Sequence, residues 1–159
     1  MSEMLSAHVS RAEFERSATA AARGIGNRMP DEAVPAARAL CLQVLEPIRA
    51  IFGGPLVINS GYRSLALNRV VGSNDTSQHR RGEAADIELP AGPSNVDLAT
   101  WIRDSGLPFD QLILESYRAG APRSGWVHIS HVLTRPPRRQ ALTMTLAPHG
   151  ATYAQGIVA

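Results

Sequence analysis

Residues 77–86 read SQHRRGEAAD, in which His79 is followed seven residues later by Asp86. Gly82 and the two small alanines after it let the chain turn tightly and come back. The apolar residues over 84–89 predict a buried strand with Asp86 near its middle. The stretch therefore predicts a histidine in a loop, followed by a tight turn and a strand that bears a carboxylate.

A second histidine, His128, lies in the apolar stretch 126–130, which predicts another strand. Because side chains alternate along a strand, we expect Val127 and Ile129 in the core and His128 on the opposite face. The preceding apolar stretch, 109–115, predicts the partner strand of a hairpin with an irregular loop. This hairpin leaves His128 on the open face of the predicted sheet, where a metal ion has room to bind.

His79, Asp86 and His128 together form a donor set that suits a metal ion. Two neutral imidazoles and one carboxylate are a common catalytic zinc set, with a fourth position left for water. Such a site lowers the pKa of the water to about 7 and polarises a carbonyl group. The sequence therefore predicts Zn2+ as the cofactor, with His131 as the alternative to His128.

Hydrolysis at such a site also needs a base, and Glu115 is the candidate. Alternation along 109–115 turns Glu115 to one face and Asp110 to the other. The alternative for Glu115 is a solvated carboxylate at the end of a strand. Arg63 follows Gly61 in a tight turn, where its guanidinium group is placed to bind a substrate carboxylate or a developing oxyanion. The alternative for Arg63 is a salt bridge that fixes the turn.

Two further residues are candidates for contacting a substrate. The sequence places no base beside Ser77, so we expect it to orient the loop or His79 and to line the binding site rather than to act as a nucleophile. Trp126 is expected either to pack within the fold or to form a wall of a substrate cleft.

The rest of the chain predicts helices and strands in irregular order. Helices are expected from Arg11, with Ser10 as its cap, to near Gly24; from Asp31, as its cap, to about Phe52, with a kink at Pro47; over 65–70; and after Ser94 to about Asp104. Further strands are expected over 56–58 and 140–146. This mixture predicts an α+β fold in a single domain over 1–159, with a small, mainly antiparallel sheet and flanking helices.

These motifs resemble those of the M15 family of zinc D-Ala-D-Ala carboxypeptidases and related phage endolysins. The family pattern Ser-x-His-x-x-Gly-x-Ala-x-Asp is met at every position of 77–86, and 60–64 and 126–128 are similar to the family's upstream and second-histidine motifs. The similarity covers Leu5 to about Leu146. It implies one M15-type peptidase domain with the small α+β fold shared with the hedgehog signalling domain.

The resemblance also implies roles for individual residues. The three metal candidates correspond to the family's zinc ligands, and Arg63 to a residue that contacts substrate. The stretch 109–116 is similar to a hedgehog strand ending in the same Glu-Ser, where the Glu lies beside zinc, which supports Glu115 as the base. By this resemblance the chain hydrolyses peptide bonds of bacterial peptidoglycan. It does so either as a carboxypeptidase that trims terminal D-Ala or as an endolysin-type endopeptidase.

One short segment departs from the family pattern. Many members carry an acid three residues before the second histidine ligand, where this chain has Gly125, and others carry a histidine two residues before it, where this chain has Trp126. The alternative function is therefore a catalytically inactive, zinc-holding module that binds cell wall or a protein partner.

Composition limits the partners. The 16 basic residues are all arginines, scattered along a chain of net charge +2, which does not favour nucleic-acid binding. Arg135, Arg138 and Arg139 form the one cluster, which is expected to be a solvated turn before the last strand or, alternatively, a patch for an anionic surface. Cys41 is the only cysteine and lies in an apolar helical pattern, which predicts a buried, inert thiol.

The N-terminal residues and the hydropathy of the chain indicate where the protein is expected to act. Met1 to Ala7 lack a positive start and an apolar run, so we expect no signal peptide. No apolar run is long enough to predict insertion in a membrane. We therefore expect a monomer made in the cytoplasm that acts at the bacterial cell wall after a phage-type release, as a lysis enzyme or a tail component.

Overall fold

A six-stranded sheet with helices packed on one face forms the framework of the protein, whose computed structural model describes residues 2–159. The strands are β1 (Val57–Ser60), β2 (Ala84–Glu88), β3 (Gln111–Glu115), β4 (Trp126–Ser130), β5 (Gln140–Ala147) and β6 (Gly150–Gln155). The α-helices are α1 (Arg11–Glu15), α2 (Ala18–Arg23), α3 (Val34–Leu40), α4 (Glu46–Phe52), α5 (Leu65–Val70) and α6 (Asn95–Asp104). There are also 3-10 turns at Asp31–Ala33 and Gln78–Arg81 and a π-helical turn at Cys41–Leu45. The α+β class predicted from the sequence is confirmed.

The sheet is mixed, so the prediction of a small, mainly antiparallel sheet is wrong. The strand order is β1-β2-β4-β3-β5-β6, in which β3 and β5 run parallel and the other neighbouring pairs are antiparallel. The chain leaves β4 and passes the start of β3, so that Gln140 pairs with Gln111 and both strands run in the same direction. β6 is not among the predicted strands, because all of its residues are exposed and it lacks an alternating apolar pattern.

The segment between β4 and β5 contains the arginine cluster, which is anchored to a buried carboxylate. The side chain of Asp110 is fully buried and accepts hydrogen bonds from Nη2 of Arg135 at 2.9 Å and Nη2 of Arg138 at 2.8 Å. The guanidinium group of Arg139 lies 4.6 Å above the centre of the Phe109 ring. Residues 133–139 are exposed, in agreement with the predicted solvated turn, and their arginine side chains also fasten the crossing that makes β5 parallel to β3.

The Asp110 network is expected to contribute to stability in a pH-dependent way. Burial by itself raises the pKa of Asp110, but hydrogen bonds from Arg135 and Arg138 outweigh this effect and hold the pKa far below its usual range. The Asp110→Asn substitution should lower the free energy of unfolding by about 2 kcal/mol at pH 7, because both guanidinium groups lose their charged partner. Urea unfolding followed by circular dichroism measures the difference.

The sign of the pH effect follows from the lowered pKa. The stabilisation is fully present above the pKa of about 3.9 that an unfolded Asp has, and it is lost as the pH falls from there towards the folded pKa. The stabilities of the wild type and Asp110→Asn should therefore converge in acid. Asp104→Asn is the matched control, because that carboxylate pairs with Arg103 at the surface and its side chain is 62% exposed. Equal losses in the two variants would contradict the role given to Asp110.

Residues 31–52 form one continuous helical run, as the apolar spacing predicts, but its hydrogen bonding changes along its length. The π-helical turn ends at Leu45, two residues before Pro47, whose ring and missing N–H prevent a regular α-helical bond to the preceding turn. The disturbance predicted at Pro47 thus takes the form of a π turn. Asp31 is not the cap of this run, because Pro30 occupies that position and Asp31 accepts a hydrogen bond from Arg11 at 2.8 Å.

The first predicted helix is in fact two helices. Ser10 caps α1, where its Oγ accepts a hydrogen bond from the backbone N–H of Glu13 at 3.1 Å, and Gly24 ends α2 in the left-handed conformation, both as predicted. Between the helices the backbone is extended at Arg16, and Ser17 caps α2. A second serine cap inside the helical pattern therefore divides the segment.

One face of the sheet is buried against the helices. Val127 and Ile129 of β4 are fully buried in this core, as predicted, and helical residues such as Leu40 and Ile48 pack into the same core. None of the helices within residues 2–159 is long and apolar enough to cross a membrane. The opposite face of β2, β3 and β4 is left to carry polar side chains.

Cys41 belongs to this core, in agreement with the predicted buried thiol. Burial raises the pKa of Cys41 to about 12. The thiol is therefore protonated at neutral pH, and a protonated thiol is a poor nucleophile and metal ligand.

Candidate metal centre

His79 lies in the 3-10 turn that precedes β2. The turn closes at Gly82 in the left-handed conformation, with φ of +71°, as the placement of small residues predicts. His79 is 2% exposed, and its Nδ1 lies 2.7 Å from the carbonyl oxygen of Gly61. A neutral imidazole that donates its Nδ1 proton to this carbonyl carries a lone pair on Nε2, the atom turned to Asp86 and His128.

Asp86 and His128 are neighbours on adjacent strands. The antiparallel pairing of β2 and β4 sets them directly opposite each other. Ala85 and Ile87 flank Asp86 and lie in the core, so alternation turns the carboxylate to the other face of the sheet. Both Asp86 and His128 are nevertheless almost fully buried. The strand pairing therefore holds a carboxylate and an imidazole together away from bulk water.

The donor atoms of the three predicted ligands converge. Asp86 Oδ1 lies 3.0 Å from His128 Nδ1 and 3.3 Å from His79 Nε2, and the two ring nitrogens are 3.2 Å apart. All three atoms lie within 4.8 Å of one another, so one ion can contact them all. Two imidazoles and one carboxylate are a donor set that fits zinc, with a further position open for water or substrate.

The electrostatics of the site keep His79 and Asp86 in the state that binds a metal ion. Burial lowers the pKa of His79, and although Asp86 opposes this effect, the net shift is downward, so the imidazole is neutral at neutral pH. Burial by itself raises the pKa of Asp86, but the two histidines hold it far below its usual range. A neutral imidazole and an ionised carboxylate are the forms that coordinate metals.

Arg63 braces the carboxylate of Asp86. Nη2 of Arg63 donates a hydrogen bond to Oδ2 of Asp86 at 2.7 Å, and Nε donates to Oγ of Ser60 at 2.8 Å. Oδ1 of Asp86 is thereby left to face the histidines. Arg63 also lines a cleft of about 960 Å³ that opens at the metal centre. The salt bridge considered as the alternative for Arg63 is present, and the side chain still reaches the cleft.

Glu115 ends β3 and lines the same cleft. The pairing of β3 with β4 sets Ile113 opposite His128 and Glu115 opposite Trp126, so the Glu115 carboxylate shares a sheet face with the metal ligands. Burial raises the pKa of Glu115, and the negative charge of Asp86 raises it further. A carboxyl group so placed is suited to proton transfer beside a metal ion.

The geometry of Gly125 explains the departure from the family pattern. Gly125 has φ of +66°, and a Cβ atom built on it would lie 1.8 Å from the carbonyl oxygen of Glu115. No side chain fits there without a shift of the backbone, so no acid stands three residues before His128. Among the described residues that line the cleft, Glu115 is the only acid. This leaves Glu115 as the candidate base.

Gly125→Ala should therefore be strongly destabilising. We expect a loss of about 3 kcal/mol in the free energy of unfolding, since the methyl group would push β3 and β4 apart. Gly120→Ala is the matched control, because Gly120 also has positive φ but nothing lies within 4 Å of its Cβ position. The control should lose only about 1 kcal/mol. If urea unfolding gave equal losses of stability for the two variants, the close contact between residue 125 and Glu115 would not be destabilising, which would contradict this prediction.

Ser77 and Trp126 both line the cleft. Ser77 precedes the 3-10 turn but makes no capping hydrogen bond through its side chain, so its hydroxyl does not hold that turn in place. Its backbone carbonyl does so instead, because it accepts a hydrogen bond from the N–H of Arg80 at 3.1 Å. Trp126 is half-buried and forms part of the cleft wall, which is the second of its two predicted positions.

His131, the alternative ligand, is not part of the metal centre. Its ring is buried beside Pro108, whose carbonyl oxygen lies 2.7 Å from Nδ1 of His131. The group of potential ligands consists of His79, Asp86 and His128. His131 instead joins the end of β4 to the segment before β3.

Many residues that line the cleft are outside the predicted set, and four of them lie close to the predicted site residues. They are Gln78, Gln111, Met144 and Tyr153. Gln78 lies next to His79 and donates a hydrogen bond to Asp110 at 3.0 Å. Tyr153 lies on β6, which the sequence does not predict as a strand, so no local pattern connects it with the site.

Comparison with known families agrees with this geometry. The family profile described as Peptidase M15 matches residues 7–130, well over half of the chain, and this range contains the three potential ligands and Glu115. A comparison with curated proteins finds no match. M15 peptidases are zinc-dependent hydrolases, and the His-Asp-His donor set fits that metal. The chain therefore belongs to peptidase family M15.

Proposed function

We propose that the protein is a zinc metallopeptidase that hydrolyses peptide bonds in the peptide part of bacterial peptidoglycan. The observation that carries this proposal is the convergence of His79 Nε2, Asp86 Oδ1 and His128 Nδ1 at a cleft that also holds Glu115. Membership of family M15 supports peptidase chemistry. The motif over 77–86, shared with cell-wall carboxypeptidases and endolysins, supports the choice of substrate.

The metal ligands and Glu115 have separate roles in the proposed hydrolysis. A zinc ion held by the three ligands would supply Lewis-acid chemistry, by polarising the scissile carbonyl and acidifying a water molecule. Glu115 takes a proton from the attacking water and returns it to the amine that leaves. Its place at the end of β3, two residue pairs along from His128, puts it on the cleft side of the sheet for both steps.

Arg63 acts on both the metal centre and the substrate. Its Nη2 holds Oδ2 of Asp86 and so orients the other oxygen for the metal. The remaining donor positions of a guanidinium group suit a carboxylate of the substrate or the developing oxyanion. Because Arg63 lines the cleft, it is placed to make that contact.

The shape of the cleft favours cleavage within a peptide over trimming of its end. The cleft is lined by both ends of β3, at Gln111 and at Glu115, and also by Arg135, Arg138 and Tyr153. The metal ligands lie between these two ends, because His128 pairs with the residue midway along β3. A peptide therefore has room on both sides of the scissile bond, and we favour an endopeptidase of the endolysin type.

The proposed substrate sets the place of action at the bacterial cell wall. We propose that a monomer reaches it from the cytoplasm by a phage-type release, as a lysis enzyme. A tail component that opens the wall locally would use the same site.

The proposal predicts zinc-dependent release of new amino groups from purified sacculi, measured by amine labelling. Protein stripped with a chelator should release none, and an equimolar amount of Zn2+ should restore the release. Magnesium should not restore it, because Mg2+ prefers oxygen ligands and octahedral geometry. Amine release by protein shown to be metal-free would overturn the proposal.

A further inference from the structure

The β5–β6 hairpin lies outside the region that matches family M15, yet it helps to build the cleft. The match ends at residue 130, and β5 begins at Gln140. Met144 of β5 and Tyr153 of β6 both line the cleft. The part of the site contributed by this hairpin is therefore a property of this chain that the family match does not cover.

The strand register brings these residues beside Glu115. The parallel pairing of β3 and β5 sets Leu114 next to Thr143, so that Glu115 and Met144 come next to each other one step further along. The antiparallel pairing of β5 and β6 sets Met144 directly opposite Tyr153. Side chains of directly paired residues share a face of the sheet. Glu115, Met144 and Tyr153 thus form one row across three strands.

Met144, which lies between Glu115 and Tyr153 in this row, belongs to an apolar cluster. Ile113, Leu142 and Met144 form a small cluster of their own, separate from the main core. This cluster is on the cleft face, since Ile113 and Met144 line the cleft. Its side chains are only 6–8% exposed, and they form a nearly buried apolar shelf beneath the cleft, from the metal centre towards the hairpin.

Tyr153 closes the far side of this shelf. It is 56% exposed, so its ring is open to a ligand and contributes little to the fold. Burial raises the pKa of Tyr153, and the charge of Glu115 raises it further. The hydroxyl therefore stays protonated at neutral pH and is available as a hydrogen-bond donor.

We propose that Tyr153 is a substrate-binding residue of the cleft, which packs its ring on an aliphatic side chain of the peptide and donates its hydroxyl to a peptide carbonyl beside Glu115. An aromatic ring with a polar tip, set at the edge of an apolar shelf, suits a peptide of small aliphatic residues. The inference rests on the proposed function, because it places a peptide over Glu115. It adds a specificity element from the hairpin that the metal-binding motifs do not contain.

The test compares Tyr153→Phe and Tyr153→Ala with Thr152→Ala. Thr152 is the matched control, because it is also exposed on β6 but alternation turns it to the other face. kcat and KM are measured with soluble peptides from digested sacculi, and the fraction of each protein that sediments with intact sacculi is measured separately. Melting temperature and zinc content show whether the fold and the metal centre are retained.

We expect the effect mainly in KM, because Tyr153 is proposed to contact the peptide equally in the bound ground state and in the transition state. Tyr153→Ala should lower kcat/KM about tenfold and lower sedimentation with sacculi. Tyr153→Phe keeps the ring and should lose about threefold, the value of one hydrogen bond. Thr152→Ala should behave as wild type, and all three variants should keep the melting temperature and zinc content of the wild type.

The outcomes separate this inference from the proposed function. If wild type cleaves and Tyr153→Ala matches it in kcat/KM, the inference is overturned and the function stands. If wild type sediments without cleaving, hydrolysis is rejected; sedimentation that weakens in Tyr153→Ala then supports the contact, and unchanged sedimentation overturns it. If wild type neither cleaves nor sediments, both are overturned.

Discussion

Replacing Glu115 by Gln should lower kcat for wall peptides by about 10²- to 10⁴-fold while zinc remains bound. Gln keeps the shape and hydrogen-bonding capacity of the side chain but cannot take a proton from water. Because Glu115 is the only acid among the described residues that line the cleft, no neighbouring carboxylate is placed to replace it. The measurement is steady-state kinetics on purified wall peptides, together with zinc content by atomic emission.

Glu88→Gln is the matched control for this experiment. Glu88 also ends a strand, but its carboxylate accepts a hydrogen bond from Asn59 and it does not line the cleft. The control should keep wild-type kcat. A fully active Glu115→Gln enzyme would show that Glu115 is not the base, and a variant that lost its zinc would assign Glu115 to the metal centre instead.

Replacing His128 by Ala should remove both zinc and activity. The substitution deletes one of three converging donor atoms and leaves Asp86 and His79 to hold the ion alone. Loss of a residue that merely supports a ligand already costs 10- to 100-fold in metal affinity or activity, so loss of the ligand itself should exceed about 100-fold. Isothermal titration of the metal-free protein with Zn2+ gives the affinity directly.

His131→Ala is the control that the sequence itself suggests. His131 lies three residues further on and is also buried, but its Nδ1 faces the carbonyl oxygen of Pro108 rather than the metal centre. The His131 variant should lose some stability and keep its zinc affinity. The reverse pattern, with zinc retained in His128→Ala and lost in His131→Ala, would contradict the assignment of the ligands.

The donor set was accessible from the sequence because its determinants are local. The motif over 77–86 contains two of the three residues, and strand alternation orients the third, His128. The structure brings these three predicted residues within 4.8 Å of one another. Local patterns also predict the fold class, the pairing of the β3–β4 hairpin and the buried positions of β4.

The features that the sequence does not predict depend on distant contacts. The parallel pairing of β3 with β5 is fastened by Arg135 and Arg138 on Asp110, residues some 25 positions apart whose meeting no local pattern signals. β6 is exposed throughout and has no apolar alternation, so the sequence does not predict that Tyr153 lines the cleft. The fit of Gly125 against Glu115 likewise appears only when the two strands are side by side.

Mass spectrometry of purified cell-wall peptides, incubated with the protein and Zn2+, tests the central claim most directly. We expect fragments from cleavage of an internal peptide bond, and none with Glu115→Gln under the same conditions. Loss of a terminal D-Ala alone would keep the zinc peptidase and make it a carboxypeptidase. No product from any wall type, although zinc is bound, would contradict the account and favour a zinc-holding module that binds wall without cutting it.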